Sequence, residues 1–317
     1  MTIKEQAAVM KLNSTKMAVT TLEERNRALE GIREALLAHK EEIFKANKED
    51  MERAGKEGIA APILKRLKFQ EEKLQEVTTG ILDLIGLPDP LGKEQMRREL
   101  DRDLLLIRES CPIGVIGVIF EARPDAMVQI ASLCIKSGNC AILKGGSEAM
   151  KTNKKIFEII YQAAAAAGMP ENCMFQIEAR SDITELLECH ESVDLLIPRG
   201  SNEFVQYIMN HTKIAVMGHA DGICHIYADK TLDLDKAIPV ILDSKTQYTA
   251  VCNATETLLV HKEIAGELLP RLNEALRAKN VEVRGTKEVR QIVECEPATE
   301  EDFSTEYLDL IISVKIV

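Results

Sequence analysis

The sequence predicts an α/β protein of two units, the first of which holds a parallel sheet with helices on both faces. Strand-like and helix-like segments alternate from about residue 103 to residue 228, which is typical of parallel sheets. The segment 114–120 is apolar throughout, as a strand covered on both faces should be. Beyond about residue 229 a helical segment is followed by further strands and helices, which indicates a second unit.

The N-terminal part of the chain, up to about residue 84, has the pattern of charged helices. Thr21 and Glu24 fit a capping box, in which each residue satisfies a backbone N–H group at a helix start. The apolar residues of this first predicted helical region recur at roughly helical spacing: Leu22, Leu29, Ile32, Leu36, Ile43 and Phe44. The Pro- and Gly-rich segment 86–92 interrupts the helices.

Two strand-to-helix turns in the first unit have the features of anion-binding sites. The strands predicted here are 103–109, 114–120, 140–146 and 193–198, and the helices are 126–138, 147–170 and 199–210. The turns KGGS (144–147) and PRGS (198–201) each offer N–H groups at a helix N-terminus beside a cation. Ligands of parallel sheets bind beyond the carboxyl ends of the strands. The alternative is that these glycines only permit tight turns.

The second unit is predicted to contain strands at 255–261 and 308–317 and an amphipathic helix at 262–279. Cys252 lies just ahead of the first of these strands. It is either a buried structural thiol, as most of the eight cysteines should be, or a nucleophile beside a cofactor site. The pattern of the second unit leaves both explanations open.

Composition excludes several classes of function. The net charge of −11, the absence of Trp and the 4% aromatic content argue against binding to nucleic acid or to an anionic membrane. No apolar run is long enough for a membrane span, and the N-terminus has no apolar signal core, so we expect a cytoplasmic protein. The cysteines form no CxxC pair, and we expect no metal.

Five blocks of the sequence resemble the gamma-glutamyl phosphate reductases of the aldehyde dehydrogenase superfamily. They are CPIGVIGVIFEARPDAM (111–127), GNCAILKGGSEA (138–149), IPRGSNEFVQYI (197–208), GICHIYAD (222–229) and AVCNATETLLVH (250–261). The resemblance implies an α/β, aldehyde dehydrogenase-like fold. A Rossmann-type NADP-binding domain is expected at 1–227, with bridging strands near 101–122, and a catalytic domain at 228–317. Because family members continue beyond Val317, the catalytic domain is expected to be incomplete at its C-terminus.

The implied activity is that of a glutamate-5-semialdehyde dehydrogenase. It reduces L-glutamyl 5-phosphate with NADPH to L-glutamate 5-semialdehyde and phosphate, the second step of proline biosynthesis. Cys252 matches the family's nucleophile, which displaces phosphate to form a thioester. The backbone N–H of Cys252 and Asn253 are the expected oxyanion donors. Ala122 stands where hydrolytic relatives carry an Asn donor, and Met217 stands where they carry the Glu that activates water.

The resemblance also indicates the cofactor site. Lys144 matches the lysine that contacts the adenosine ribose. Ser147 replaces a Glu that binds both ribose hydroxyls in NAD-preferring members, which leaves room for a 2′-phosphate and favours NADP. Glu306 resembles the Glu that holds the nicotinamide ribose, although it is alternatively a solvated acid at a strand start. The expected cofactor-binding residues are Lys144, Gly146, Ser147, Gly200, Ser201 and Glu306.

Four residues are candidates for binding the substrate. Arg123 and Arg199 are candidate anion clamps, since a guanidinium pairs bidentately with phosphate or carboxylate. Both are alternatively surface salt-bridge partners. Lys245 is expected to face the substrate phosphate. His219 and the nearby His225 are interpreted as structural or substrate-facing side chains rather than general bases.

Two rival functions remain open at the level of sequence. The chain is alternatively a truncated, inactive nucleotide-binding module, or another acylating aldehyde dehydrogenase that uses a CoA thioester. The expected partners are L-glutamyl 5-phosphate and NADPH/NADP, further copies of the full-length chain in a homo-oligomer, and functional coupling to glutamate 5-kinase. Neither nucleic acid nor membrane is expected as a partner.

Overall fold

The computed structural model describes residues 2–59, 61–121, 123–178, 182–200, 202–218, 222–249 and 251–317. Its contacts divide the chain into two compact units, Met1–His219 and Ala220–Val317. The strand that contains residue 227 pairs within the second unit. The functional division at 227, with NADP binding before it and catalysis after it, stays a prediction.

The first unit opens with a helical region and continues into alternating strands and helices. Its helices are α1 (Ile3–Ala18), α2 (Leu22–Ala38), α3 (Lys40–Lys56), α4 (Ala61–Leu67), α5 (Glu71–Gly86), α6 (Pro124–Lys136), α7 (Met150–Ala166), α8 (Asp182–Leu187) and α9 (Asn202–Asn210), and its strands are β1 (Glu94–Asp101), β2 (Leu104–Glu109), β3 (Val115–Ile119), β4 (Cys140–Lys144), β5 (Met174–Ile177), β6 (Leu195–Pro198) and β7 (Ala215–Val216). A short 3₁₀ turn, Ser147–Ala149, precedes α7.

The sheet of the first unit is parallel and has the strand order β5-β4-β3-β6-β7. Every residue of β3 and β4 is buried, which confirms the prediction that both faces are covered. The chain runs outward from β3 through β4 to β5, and then from β6 to β7 on the other side of β3. The topological switch point, where parallel sheets bind ligands, therefore lies between β3 and β6.

The local signals read from the sequence match the helix ends. The Thr21 hydroxyl accepts a hydrogen bond from the N–H of Glu24 at 3.2 Å, and the Glu24 carboxylate accepts one from the N–H of Thr21 at 2.8 Å. Gly138 adopts a left-handed φ of 67° beyond the end of α6, where a residue with a Cβ is strained. The predicted capping box and glycine helix end are confirmed.

Strands β1 and β2 form a separate antiparallel ribbon. The second strand was predicted within 103–109, but the first was missed, because its sequence EQMRRELD is charged on both faces. Leu104, Leu105, Leu106 and Ile107 are all exposed on this ribbon. A two-stranded ribbon with apolar side chains on both faces lacks the cover that normally stabilises a strand pair.

The second unit is a smaller parallel sheet with its own core. Its strands are β8 (Cys224–Ala228), β9 (Thr255–Val260), β10 (Glu282–Gly285), β11 (Glu296–Pro297) and β12 (Ile311–Ile316), and its helices are α10 (Leu234–Thr246), α11 (Ala265–Ala278) and α12 (Lys287–Arg290). The strand order is β11-β10-β12-β9-β8. The leucines of α11 pack on this sheet, which confirms that the 262–279 segment is an amphipathic helix.

None of the helices in the described part of the chain has both the length and the apolar character that a membrane span requires. The described residues also contain no group of three or more His, Cys, Asp or Glu side chains arranged to hold a metal ion.

Candidate active site

Cys252 lies on the turn that connects helix α10 to strand β9 in the second unit. The N–H of Ala254 donates to the carbonyl of Val251 at 3.0 Å, which closes a tight turn around the thiol-bearing residue. Both Cys252 and Asn253 are exposed. The turn therefore presents a free thiol to solvent rather than to the core, which favours the nucleophile over the structural thiol.

Four of the other cysteines have the character of packed structural thiols. Cys134, Cys140, Cys173 and Cys189 are buried. Burial raises the pKa of Cys134 and of Cys140 to about 12, and it raises the pKa of Cys173 to about 11. Such thiols stay protonated at neutral pH and are poor nucleophiles.

The backbone of Cys252 is packed against Gly222 and lies near Glu306. A Cβ atom on Gly222 would collide with the carbonyl oxygen of Cys252 and would lie 2.9 Å from Oε1 of Glu306. The Cys224 thiol donates to the same Cys252 carbonyl at 3.3 Å. The second unit thus brings the predicted nucleophile and the predicted ribose-binding Glu306 to one place, although 53 residues separate them in the sequence.

Lys245 is not available to a substrate in the structure. Its ammonium lies 2.6 Å from Oε2 of Glu256, and the two side chains are 0% and 1% exposed. The positive charge is matched by Glu256 and is shielded from solvent, so it does not fit the predicted contact with a substrate phosphate. We therefore leave Lys245 out of the proposed substrate clamp.

The switch point of the first unit brings together the two predicted glycine turns and two predicted arginines. Arg199 follows β6, and its N–H donates to the Ile119 carbonyl of β3 at 2.7 Å. The Arg199 side chain is exposed and has no ion-pair partner among the described residues. Arg123 follows β3, and its guanidinium is 58% exposed and lies 3.2 Å from the Asp125 carboxylate. Arg199 is therefore the better candidate anion ligand.

The turn that follows β4 differs from the predicted anion site in one respect. The N–H groups of Lys151 and Thr152, at the start of α7, donate to the carboxylate of Asp50 at 3.3 and 2.8 Å. Asp50 is fully buried, and its carboxylate also lies 2.9 Å from Arg53. A carboxylate of the chain itself therefore occupies the start of α7, so the N–H groups of Lys151 and Thr152 are not free for an anion, and the role predicted for the turn 144–147 stays a prediction.

The cofactor residues of this turn are tightly packed. Lys144 is buried at the end of β4, and its ammonium donates to the Gly145 carbonyl at 2.6 Å. A Cβ atom on Gly146 would collide with the carboxylate of Glu148. Ser147 begins the 3₁₀ turn, and its carbonyl accepts a hydrogen bond from Arg53 at 2.8 Å. The ammonium of Lys144 and the carboxylate of Glu148 thus each lie against one of the two glycines of this turn.

A second acid lies near the glycine turns. A Cβ atom on Gly200 would lie 3.0 Å from Oε1 of Glu121. Desolvation raises the pKa of Glu121, the nearby Glu148 carboxylate acts in the same direction, and Arg66 opposes both. Two carboxylates, those of Glu121 and Glu148, therefore lie at this end of the sheet.

Three residues of the prediction lie outside the described part of the chain: Ser201, His219 and Ala122. Met217, which is predicted to stand where hydrolytic relatives carry the water-activating Glu, is 60% exposed. His225 is exposed on β8, and its Nδ1 lies 2.7 Å from the Ile223 carbonyl. These positions leave the predicted roles of the histidines as predictions.

Several residues of the candidate sites were missed by sequence reasoning. Glu256 gave a usable signal, because an acid inside the apolar strand TETLLV requires a buried partner. Gly222 gave a weaker one, as a glycine directly before a strand. Asp50 gave none, because its partner Thr152 is 102 positions away in the sequence.

Comparison with known proteins assigns this arrangement to a class. The model of the aldehyde dehydrogenase family matches residues 2–292. The two parallel sheets agree with that class, and the predicted α/β, aldehyde dehydrogenase-like fold is confirmed.

Individual relatives narrow the class further. A curated gamma-glutamyl phosphate reductase from Acetivibrio thermocellus is 54% identical over 317 residues, which is 100% of this chain and 74% of the relative. The crystal structure of gamma-glutamyl phosphate reductase from Thermotoga maritima matches with a TM-score of 0.94 and 38% identity, over 99% of this chain and 76% of that chain. The crystal structure of gamma-glutamyl phosphate reductase from Saccharomyces cerevisiae matches with a TM-score of 0.66 and 35% identity. The match covers 100% of this chain and 81% of that chain.

The chain therefore belongs to the gamma-glutamyl phosphate reductases of the aldehyde dehydrogenase family. The relatives of this name support the assignment of the chain as a reductase of proline biosynthesis. Membership of the family implies a nicotinamide cofactor and a small-molecule substrate.

Proposed function

We propose that this chain reduces L-glutamyl 5-phosphate to L-glutamate 5-semialdehyde and phosphate through a thioester on Cys252, with NADPH as the reductant. The observation that carries the proposal is the exposed Cys252 on a turn whose backbone adjoins Gly222 and lies near Glu306. An exposed thiol is accessible to an acyl phosphate, whereas the buried thiols of the first unit are not.

The thiolate of Cys252 attacks the acyl carbon, and a C–S bond forms as the carbonyl electron pair moves onto oxygen. The backbone N–H of Cys252 and the amide of Asn253 are the proposed donors to this oxyanion. When the carbonyl re-forms, the C–O bond to phosphate breaks and phosphate leaves with the electron pair. Bound NADPH supplies the hydride that reduces the thioester carbonyl. The Cys252 sulfur then leaves as thiolate and releases the aldehyde.

Met217 supports reduction over hydrolysis. A thioether cannot take a proton from water, so position 217 offers no base to activate water against the thioester. The intermediate consequently survives long enough to be reduced. Arg199, exposed at the switch point, is the proposed ligand for a phosphate, with Arg123 as a second, partly neutralised cation.

The residues of the first unit fit a nicotinamide dinucleotide. The switch point between β3 and β6 is where such sheets take dinucleotides, and two glycine turns with Lys144 and Arg199 lie at that end. Because Asp50 occupies the start of α7, we assign the pyrophosphate to the Gly200–Ser201 turn and the adenosine ribose to Lys144. Glu306 is the proposed ligand of the nicotinamide ribose.

The preference for NADPH over NADH rests on Lys144 and on Ser147, which leaves no carboxylate at the position that binds the ribose hydroxyls in NAD-preferring members. We expect Lys144→Met to reduce the affinity for NADPH about ten-fold more than the affinity for NADH, because only NADPH loses a charge-assisted contact between its 2′-phosphate and the lysine. Isothermal titration calorimetry with each cofactor measures this directly. Lys151→Met, an exposed lysine paired with Glu49, is the matched control. Equal losses for both cofactors would contradict the preference.

The reverse reaction tests the proposed activity. We expect phosphate-dependent NADP reduction with glutamate semialdehyde, and a loss of at least about 10³-fold in Cys252→Ser, because a hydroxyl is a far weaker nucleophile than a thiolate. Cys111→Ser, which removes the other exposed thiol, should retain full activity. CoA-dependent but phosphate-independent turnover would favour another acylating dehydrogenase. Cofactor binding without turnover would favour an inactive nucleotide-binding module.

A further inference from the structure

The ion pair between Lys245 and Glu256 differs from all others among the described residues. It is the one pair in which both side chains are almost fully buried, at 0% and 1% exposure, with 2.6 Å between Nζ and Oε2. Most of the remaining pairs have both partners at least partly exposed, and each has at least one such partner. Burying two charges costs free energy that their mutual attraction offsets only when the geometry is good, so such a pair is a weak source of stability.

The position of the pair in the chain suggests what it does instead. Lys245 lies in the last turn of α10, and Glu256 is the second residue of β9, so the pair ties together the two ends of the Cys252 turn. A second contact, 3.0 Å between the hydroxyls of Ser244 and Thr255, joins the same two ends. The segment 247–254 is thereby closed at its base by adjacent charged and neutral contacts.

Glu256 also reaches the segment that carries Glu306. The N–H of Leu308 donates to Oε1 of Glu256 at 3.4 Å, while Oε2 of the same carboxylate is held by Lys245. The Lys245 ammonium lies 6.0 Å from the centre of the Tyr307 ring. One carboxylate therefore contacts both the base of the Cys252 turn and the chain immediately after Glu306.

We propose that Lys245 and Glu256 form a positioning pair that holds the Cys252 turn and the Glu306 segment in a fixed position relative to each other. The proposal rests on the proposed nucleophilic role of Cys252. Both side chains are inaccessible to ligands, so they act through the segments they hold and not on the substrate. A displacement of a reacting group by about 1 Å slows a reaction strongly. A buried charge pair that prevents such a displacement would therefore favour catalysis, even though it adds little stability.

The charge environment fits this role. Burial raises the pKa of Glu256, the Lys245 ammonium and the Leu308 N–H oppose that rise, and the Glu306 carboxylate adds to it. Without Lys245, Glu256 would be a buried acid with no cation, next to a like charge. Removal of the lysine should therefore loosen both segments.

The test uses three variants and one matched control. Lys245→Met and Glu256→Gln each leave one partner uncompensated, and the double variant K245M/E256M replaces the pair with apolar side chains, a change that buried pairs commonly tolerate without unfolding. Leu276→Ala is the control, because it truncates a side chain that is 1% exposed in the same core, on α11, away from the Cys252 turn.

Two readouts require neither substrate nor turnover. Hydrogen–deuterium exchange measures the opening of the segments 247–254 and 305–308. The pH dependence of alkylation by iodoacetamide measures the reactivity of the Cys252 thiol, which depends on the groups around it. We expect exchange in both segments to rise at least about ten-fold in the single and double variants, with a shifted alkylation profile. Leu276→Ala should change neither readout by more than about two-fold, although its global stability falls.

Parental exchange and parental alkylation in the folded double variant would overturn the proposal, because the pair would then only fill space. Parental values in both single variants would do the same. Failure of the proposed function would look different: the parent chain would show no phosphate-dependent turnover and no acyl adduct on Cys252, whatever the exchange of its loops.

Discussion

Cys252 is placed by its backbone neighbours as much as by its own side chain. Gly222 leaves space for the Cys252 carbonyl, and the Cys224 thiol donates to that carbonyl at 3.3 Å. Glu306 lies beside the same glycine. Gly222 has no side chain, and this absence of a Cβ atom allows the proposed nucleophile and the proposed ribose ligand to lie close together.

This packing predicts a large effect of one methyl group. In Gly222→Ala the new Cβ collides with the Cys252 carbonyl and crowds Glu306, so the turn must shift. We expect turnover to fall by about 10²-fold, the usual cost of a misplaced reacting group. Steady-state kinetics of the reverse reaction, with an unfolding curve alongside, measure the effect.

Gly266→Ala is the matched control for this variant. Gly266 lies on α11 with nothing within 4 Å of the added Cβ, and alanine favours a helix by about 0.5–1 kcal/mol over glycine. The control should therefore be fully active and equally or more stable. Unchanged turnover in Gly222→Ala would show that the contact does not set the position of Cys252.

At the scale of elements, the sequence predicted those structures whose signals are local. The apolar strands β3 and β4, the capped helix α2 and the amphipathic helix α11 all follow from periodicity and from end signals. Strand β1 was missed because it has no apolar face, and the Asp50 cap of α7 was missed because it joins distant parts of the chain. Lys245 was misjudged although Glu256, an acid inside an apolar strand only 11 positions later, signalled a buried partner.

The β1–β2 ribbon predicts association of chains. Four consecutive apolar residues, Leu104 to Ile107, are between 43% and 55% exposed on a ribbon to which no further strand of the described residues is added. We expect that a second copy covers them in a homo-oligomer, and that replacing Leu104 and Leu106 with Lys shifts the chain towards the monomer. Light scattering coupled to size-exclusion chromatography measures the mass. Leu12→Lys and Leu133→Lys, exposed leucines on helices, are the controls and should leave the mass unchanged. A parental mass in the ribbon variant would contradict the prediction.

At the scale of the whole molecule, the free energy of unfolding should fall in acidic solution because of Asp302, a buried carboxylate in the second unit. Asp302 is buried there between the N–H of Thr299, Arg284 and the Tyr307 hydroxyl, at 2.6, 2.8 and 2.7 Å. Burial alone would raise the pKa of Asp302, but these hydrogen bonds outweigh it and hold the pKa well below its usual range.

Because the pKa of Asp302 is lower in the folded than in the unfolded chain, the unfolded chain binds more protons as the solution becomes acidic. The contribution of Asp302 to stability is therefore complete above the unfolded pKa, about 3.9, and is lost as the pH falls below it. The raised pKa of Glu256 works in the opposite sense, since its contribution is lost as the pH rises.

Asp302→Asn should lower the free energy of unfolding near neutral pH and flatten its decline between about pH 4 and about pH 2, because the amide takes up no proton. Urea unfolding followed by circular dichroism across this range gives the slope. Asp235→Asn, which removes an exposed carboxylate paired with Arg271, should leave the slope nearly parental. A parental slope in Asp302→Asn would mean that this carboxylate is not the group whose protonation destabilises the fold in acid, and that the acid response arises elsewhere in the chain.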